Sequence, residues 1–340
     1  MKFLNSKRLF LPLSSVWGSF LLASACASGV SVSTSPSAEN GESSEVSHDH
    51  SGTEKAALAD AQAAHFERER EESIARGGRL YDKWWAEATI EFSPDDKNTP
   101  KRDGKGGPFG NGTLPNAKGE SMLNTGHDYR LKNLFGWDLQ GAAGIYGEKY
   151  QNKSSVLSVV LLEEGVSVQE WSRRLSEGFE GVPAYGKVLN KTQIEDIAAF
   201  ITAMASGKLV RAGQVWSLSE NTPKNYTLKT GGDPERGHQL VEEKCSMCHG
   251  KNGTNFYLED AYSLGSFARA KSYEAWLKIL NGQPGTKMRA QVDLGLSSEG
   301  QANNLLDILS ALCDRKIYPR GEAIAPDVPD GDARCGEYLK

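Results

Sequence analysis

The sequence is short of positive charge: 39 Lys and Arg stand against 44 Asp and Glu, a formal net charge of −5 at pH 7. That balance argues against nucleic acid as the main partner. Long apolar runs are also scarce. The one near the start, Leu9 to Leu22, is interrupted by Pro12 and Gly18 and falls short of the roughly 20 residues a membrane span needs. Cysteine is rare, with five in 340 residues. No second ligand pair stands at zinc-site spacing, and neither a phosphate-cradling glycine loop nor a Ser-His-Asp order is found.

What is present begins with an export pattern. Lys2, Lys7 and Arg8 precede the apolar run, and Ala23-Ser24-Ala25 close it before Cys26. Residues 1–25 therefore read as a secretory signal, with an uncleaved anchor helix as the alternative. Small residues before Cys26 resemble a bacterial lipoprotein cleavage box, although Ala23 occupies the position usually held by Leu. A lipid on Cys26 and a plain signal-peptidase cut nearby are the two expectations. Either cut removes three basic residues and no acid, so the mature chain is more acidic still. Its expected location is the periplasm.

Residues 26–70 read as a flexible tether followed by a charged helix. Ser, Thr, Gly, Glu and Asp dominate up to residue 52 and cannot bury enough surface to order themselves. Good helix formers fill Glu54 to Arg76. Leu80, Tyr81, Trp84 and Trp85 then form one aromatic helix stripe, expected in a core. Residues 92–128 read as loop, and a polar link near 221–232 separates two halves, 71–220 and 221–340.

The halves resemble each other. Ser167-Val168-Gln169-Glu170-Trp171 matches Ser272-Tyr273-Glu274-Ala275-Trp276. Each stretch opens on Ser, a helix N-cap residue, and each helix ends near a glycine, Gly178 or Gly282. Val182-Pro183-Ala184 and Met288-Arg289-Ala290 follow. Each half closes with an amphipathic helix, carrying Ile194, Ile197, Ala198 and Ile201 on one face, or Leu305, Ile308, Leu309 and Leu312. The predicted fold class is all-α, built from two tandem copies of one small helical domain.

The chemistry concentrates in Cys245-Ser246-Met247-Cys248-His249. Two thiols two residues apart can each add to a vinyl group at one porphyrin edge, and the next imidazole can reach the iron. This predicts one covalent haem c. The alternative is a zinc or redox Cys-x-x-Cys. Asp233 and Pro234 supply an N-cap and first helical residue leading into that turn, and Gly237 permits close approach of the closing helix near Leu309. Elimination leaves Met288 as the second axial ligand: Met1 lies in the signal, Met122 and Met204 in the other half, and Met247 points out of the turn. A core methionine is the alternative for Met288. His238 is a rival ligand, expected on the outer face of its helix.

With these residues in view, 230–315 resembles a class I c-type cytochrome domain. The stretch 71–315 is similar to bacterial two-domain dihaem c-type cytochromes. In those relatives the first domain carries Arg-Cys-x-x-Cys-His-Gly-Trp-Asp. Here that stretch is Arg130-Leu131-Lys132-Asn133-Leu134-Phe135-Gly136-Trp137-Asp138, and the distal Met-Pro is Val182-Pro183. Thiols, imidazole and thioether are all replaced by hydrocarbon. The resemblance implies two cytochrome c-like domains with a haem in the second only, the first cleft being filled by Leu131, Leu134, Phe135 and Val182 because a void is costly. A chance similarity of 71–215, or a non-covalent haem on His127, are the alternatives.

Cys313 and Cys335 remain. In an oxidising compartment they would pair, tying down the tail Pro319–Lys340; two free thiols are the alternative. The expected function is single-electron transfer, with no catalytic residue, between redox proteins, one bearing a basic docking patch for this acidic chain. A haem subunit of a periplasmic oxidoreductase, or a haem-bearing sensor, are the competing readings.

Overall fold

Helix dominates the computed structural model, which describes residues 50–90, 114–122, 129–145, 160–218, 226–259 and 261–340. The expected signal, Cys26, nearly all of the tether, most of the 92–128 loop and His127 lie outside the described residues.

The charged helix and the aromatic stripe form one element, α1 (His50–Glu87), which kinks at Lys83. Its side chains are exposed from residue 55 to 70 and buried from Ile74 onward, so Leu80, Tyr81, Trp84 and Trp85 enter the core. The first half continues with α2 (Leu131–Phe135), α3 (Val168–Glu177), α4 (Lys191–Ala205) and α5 (Ala212–Val215). The second half holds α6 (Pro234–Lys244), α7 (Ser246–His249), α8 (Leu264–Ala270), α9 (Ser272–Asn281) and α10 (Ser298–Leu312). Among the described residues, strand is limited to two short antiparallel pairs: β1 (Leu114–Pro115) with β2 (Ser121–Met122), and β3 (Trp216–Leu218) with β4 (Tyr226–Leu228).

The internal repeat has a physical basis in helix crossings. In the first half Gly77 on α1 lies against α4, where a Cβ would come within 1.9 Å of the Asp196 carbonyl oxygen. In the second half Gly237 on α6 lies against α10, with the same 1.9 Å to the Asp307 carbonyl oxygen. Each crossing is locked by the preceding arginine: Arg76 Nε donates to Asp196 at 2.5 Å, and Arg236 Nε to Asp307 at 2.5 Å. Glycine removes the side chain that would hold the helices apart, and the buried carboxylate accepts a charge-assisted bond in return. The crossing partners of Gly237 are thus Asp307 and Ala311, which bracket Leu309 on the closing helix as expected.

The matched helices differ at their starts. Ser167 caps α3 as expected, accepting from Glu170 N at 3.2 Å. Ser272 does not cap α9; Lys271 precedes the helix and Ser272 is its first residue. The reason is the neighbouring α8, which ends at Ala270 and leaves Lys271 as the single hinge between two helices.

The expected polar link at 221–232 is described from Tyr226 onward. Its described part contains β4, with Tyr226 and Leu228 buried against β3. Tyr226 joins an aromatic series crossing between the halves: Trp137 to Tyr273, Tyr273 to Tyr226, Tyr226 to Trp216 and Trp216 to Trp276, with ring centroids 6.2, 5.2, 6.0 and 5.1 Å apart. From Thr53 to Lys340 the halves therefore pack as one compact unit.

Cys313 and Cys335 are joined as a disulfide. The tail it anchors is held further by Asp327, which accepts from Arg269 Nε at 2.8 Å. Arg334 also donates to the Ala270 carbonyl at 2.6 Å.

Candidate functional site

Asp233 starts the site. Its carboxylate accepts from the backbone N–H groups of Glu235 and Arg236 at 3.0 and 3.1 Å, opening α6 where Pro234 is already preset for helix. The chain runs to Cys245, whose carbonyl accepts from Cys248 N at 3.2 Å and His249 N at 2.9 Å. This single turn, α7, carries Cys245, Cys248 and His249 together. It is stopped by Gly250 at φ 80°, a left-handed conformation that glycine adopts without penalty.

The three side chains meet different surroundings. Cys245 is partly buried and Cys248 exposed, and both are free thiols. Burial pushes the Cys245 thiol up to about 11, so it keeps its proton at neutral pH. His249 is 7% exposed, with Phe256 against its ring at 4.6 Å. Burial lowers its pKa, favouring the neutral imidazole that can donate a lone pair to a metal. Its Nδ1 is sealed from solvent and has no hydrogen-bond partner.

Met288 comes from the loop after α9 and is half-buried. Its N–H donates to Thr286 Oγ1 at 3.1 Å, and its carbonyl accepts from Gln283 N at 3.1 Å. Met247 is 90% exposed and points out of the turn. His238 departs from expectation. It is half-buried and its Nδ1 lies 2.7 Å from the Tyr318 hydroxyl, because the disulfide-anchored tail folds over that face of α6. Its imidazole is already engaged.

The chain matches no protein-family model, no curated protein and no solved structure. The first half supplies an internal comparison for the site. There α2 ends at Gly136 with φ 79° and ψ 166°, close to the φ 80° and ψ 159° of Gly250. The same turn presents Leu131, Leu134 and Phe135 where α7 presents Cys245, Cys248 and His249. Those three and Val182 are between 0% and 3% exposed. Phe135 also stacks on Phe179 with centroids 6.3 Å apart. Hydrocarbon closes the first copy of the turn, while the second remains accessible at Cys248 and half-buried at Cys245 and Met288.

Fit to a haem can be judged from the donors. Among the described residues no group of three His, Cys, Asp or Glu side chains converges as a metal site. A macrocycle brings four nitrogens of its own and asks the protein for two thiols and one or two axial ligands. Cys245, Cys248 and His249, on one turn, and Met288, on the loop after α9, are donors of those kinds.

Sequence reasoning missed Phe256, which sits in a Gly- and Asn-rich turn with no periodicity to mark it. It also missed the tail contact on His238, since no local pattern connects residues 238 and 318.

Asp138, next to Trp137, is buried, and burial raises its carboxyl to about 6 despite the Ile145 N–H at 2.7 Å. The folded chain thus holds this proton more tightly than the unfolded one. The stabilisation is present below about pH 4 and is lost as pH rises through about 6, a change on the order of 3 kcal/mol. Denaturant titrations of Asp138→Asn should lack that fall between pH 4 and 6; an unchanged pH profile would disprove the assignment.

Proposed function

We propose that this chain is an exported monohaem c-type cytochrome that carries single electrons, built from two tandem cytochrome c-like domains of which only the second binds haem. The observation that carries this reading is the twice-used turn: closed by Leu131, Leu134 and Phe135 in one half, and furnished with two free thiols beside a buried imidazole in the other. The bound haem would alternate between ferric and ferrous iron, taking up and releasing one electron.

The chain's own residues do the rest. Cys245 and Cys248 would hold the group covalently, each thiol adding across a vinyl group with sulfur to one carbon and the proton to its neighbour, so no oxidant would be required. His249 offers its neutral imidazole from a turn braced by Gly250 and Phe256. Met288 offers a thioether, which favours the ferrous form over a second imidazole and raises the potential. A haem held by both His249 and Met288 would leave no open site for a substrate, which favours electron transfer over the competing oxidoreductase reading. The acidic surface would steer a partner with a basic patch, more weakly as salt is added. The Cys313–Cys335 disulfide suits an oxidising, periplasmic location. Attachment through a lipid on Cys26 completes the proposal.

A pyridine haemochrome assay with intact-mass measurement tests it. One covalent haem per chain is expected, with reduced protein that resists carbon monoxide. A colourless mature protein, or two haems per chain, overturns the reading; ready carbon monoxide binding would favour an enzyme site.

A further inference from the structure

The loop that carries Met288 is held from the opposite half of the molecule. Arg79 on α1 is fully buried and makes three bonds: to Glu72 at 2.8 Å, to Glu87 at 2.8 Å and to the carbonyl of Asn281 at 2.9 Å. Asn281 is the last residue of α9, where the Met288 loop begins. Glu87 uses its other carboxylate oxygen to accept from Gly285 N at 2.9 Å, within that loop. Asp82 accepts from Lys278 Nζ at 3.0 Å, and the same ammonium donates to Gln283 at 2.6 Å.

Packing is equally close. A Cβ on Gly78 would lie 2.3 Å from the Asn281 side chain, and one on Gly285 would lie 2.9 Å from the Ala86 carbonyl oxygen. The loop passes this restraint to the methionine, because Gln283 N bonds the Met288 carbonyl and Gly282 pairs with Arg289. Asn281, Gln283 and Gly285 are therefore all fastened, directly or through Lys278, to one helix of the half that lacks the thiol turn.

We propose that the first half acts as a clamp on the Met288 loop, with Glu87, Arg79 and Asp82 as positioning residues for the thioether. The inference rests on the haem reading above. A loop containing Gly282, Pro284 and Gly285 has little local stability of its own. A thioether is a soft, neutral donor that any loop opening would withdraw. A charge-assisted bond from Glu87 to the Gly285 amide raises the free energy of opening, and α1, buried against α4, supplies the rigid support. This gives the haem-free half a function in the other half's chemistry.

The full chain tests this in three variants. Glu87→Ala removes the acceptor for the Gly285 amide. Gly285→Ala drives a methyl against the Ala86 carbonyl at a position where φ is +69° and leaves the buried seam untouched, so it reports even where Glu87→Ala does not fold. Glu87→Gln keeps an acceptor oxygen. Glu87→Ala and Gly285→Ala are expected to keep one covalent haem, weaken the methionine-to-ferric-iron charge-transfer band and lower the reduction potential. Their apparent affinity for added imidazole should rise about tenfold, the effect of one lost hydrogen bond to a charged group. Glu87→Gln should restore most of the band. If both variants match wild type in band, potential and imidazole affinity, the clamp is wrong while the haem reading stands. A wild-type chain without covalent haem overturns both.

Discussion

Replacing both Cys245 and Cys248 with serine is expected to yield a protein from which all haem is removed by acidified acetone, the largest effect of any pair of substitutions in the chain. Serine keeps the size and polarity of the turn but cannot form a thioether. His249 N would still bond the Cys245-position carbonyl, so α7 itself should persist. What disappears is the covalent tie, and the loss should be complete rather than graded. Cys248→Ser alone should leave one thioether and a shifted haemochrome band, because Cys245 still offers its thiol. Stability should also fall, since the second half, unlike the first, has no Leu and Phe set to close the space a lost haem leaves. Covalent haem at wild-type stoichiometry in the double variant would remove the basis for the proposed function.

Gly237→Ala is expected to cost about 3 kcal/mol of stability or more, read as a fall in denaturant midpoint. The new Cβ would sit 1.9 Å from the Asp307 carbonyl oxygen and 3.0 Å from the Ala311 Cβ. Backbone atoms on a packed helix cannot yield as a side-chain tip can, so α6 and α10 must separate. Separation also stretches the Arg236–Asp307 pair and the Asp233 N–H bond to Asp307, at 2.7 Å. Overpacking of this kind costs about 1–3 kcal/mol in a core, and losing the bonds to a buried carboxylate adds to it. Gly77→Ala should behave alike, because its Cβ meets the Asp196 carbonyl at 1.9 Å. Gly213→Ala is the control: nothing lies within 4 Å of its Cβ, and alanine favours helix there by up to about 1 kcal/mol. Equal stability for all three variants would show that the crossings are not where the repeat is held.

Much of the architecture was legible in the sequence. Apolar spacing revealed α4 and α10, and Ser167 marked the start of α3. The Arg-Gly pairs at 76–77 and 236–237 also stand in plain view, but their meaning depends on Asp196 and Asp307, more than seventy residues away. Tyr226 was hidden in a polar stretch because a three-residue strand has too few positions to show a period. Ser272 has the look of a cap in the sequence, but α8 ends at Ala270 and puts Lys271 there instead, and no local pattern shows that.

At the Cys-x-x-Cys-His turn, residue identity and packing divide the account. By itself the sequence determined which atoms each copy of the turn carries: two thiols and an imidazole after Val241, hydrocarbon after Arg130. Those are covalent facts, set by residue identity and one-turn spacing. Only the tertiary structure decided that Leu131, Leu134, Phe135 and Val182 are sealed, that His249 Nδ1 is left without a partner, and that Glu87 reaches across to the Gly285 amide. Burial and long-range hydrogen bonds depend on how distant segments pack, and no local stretch of the chain contains that information.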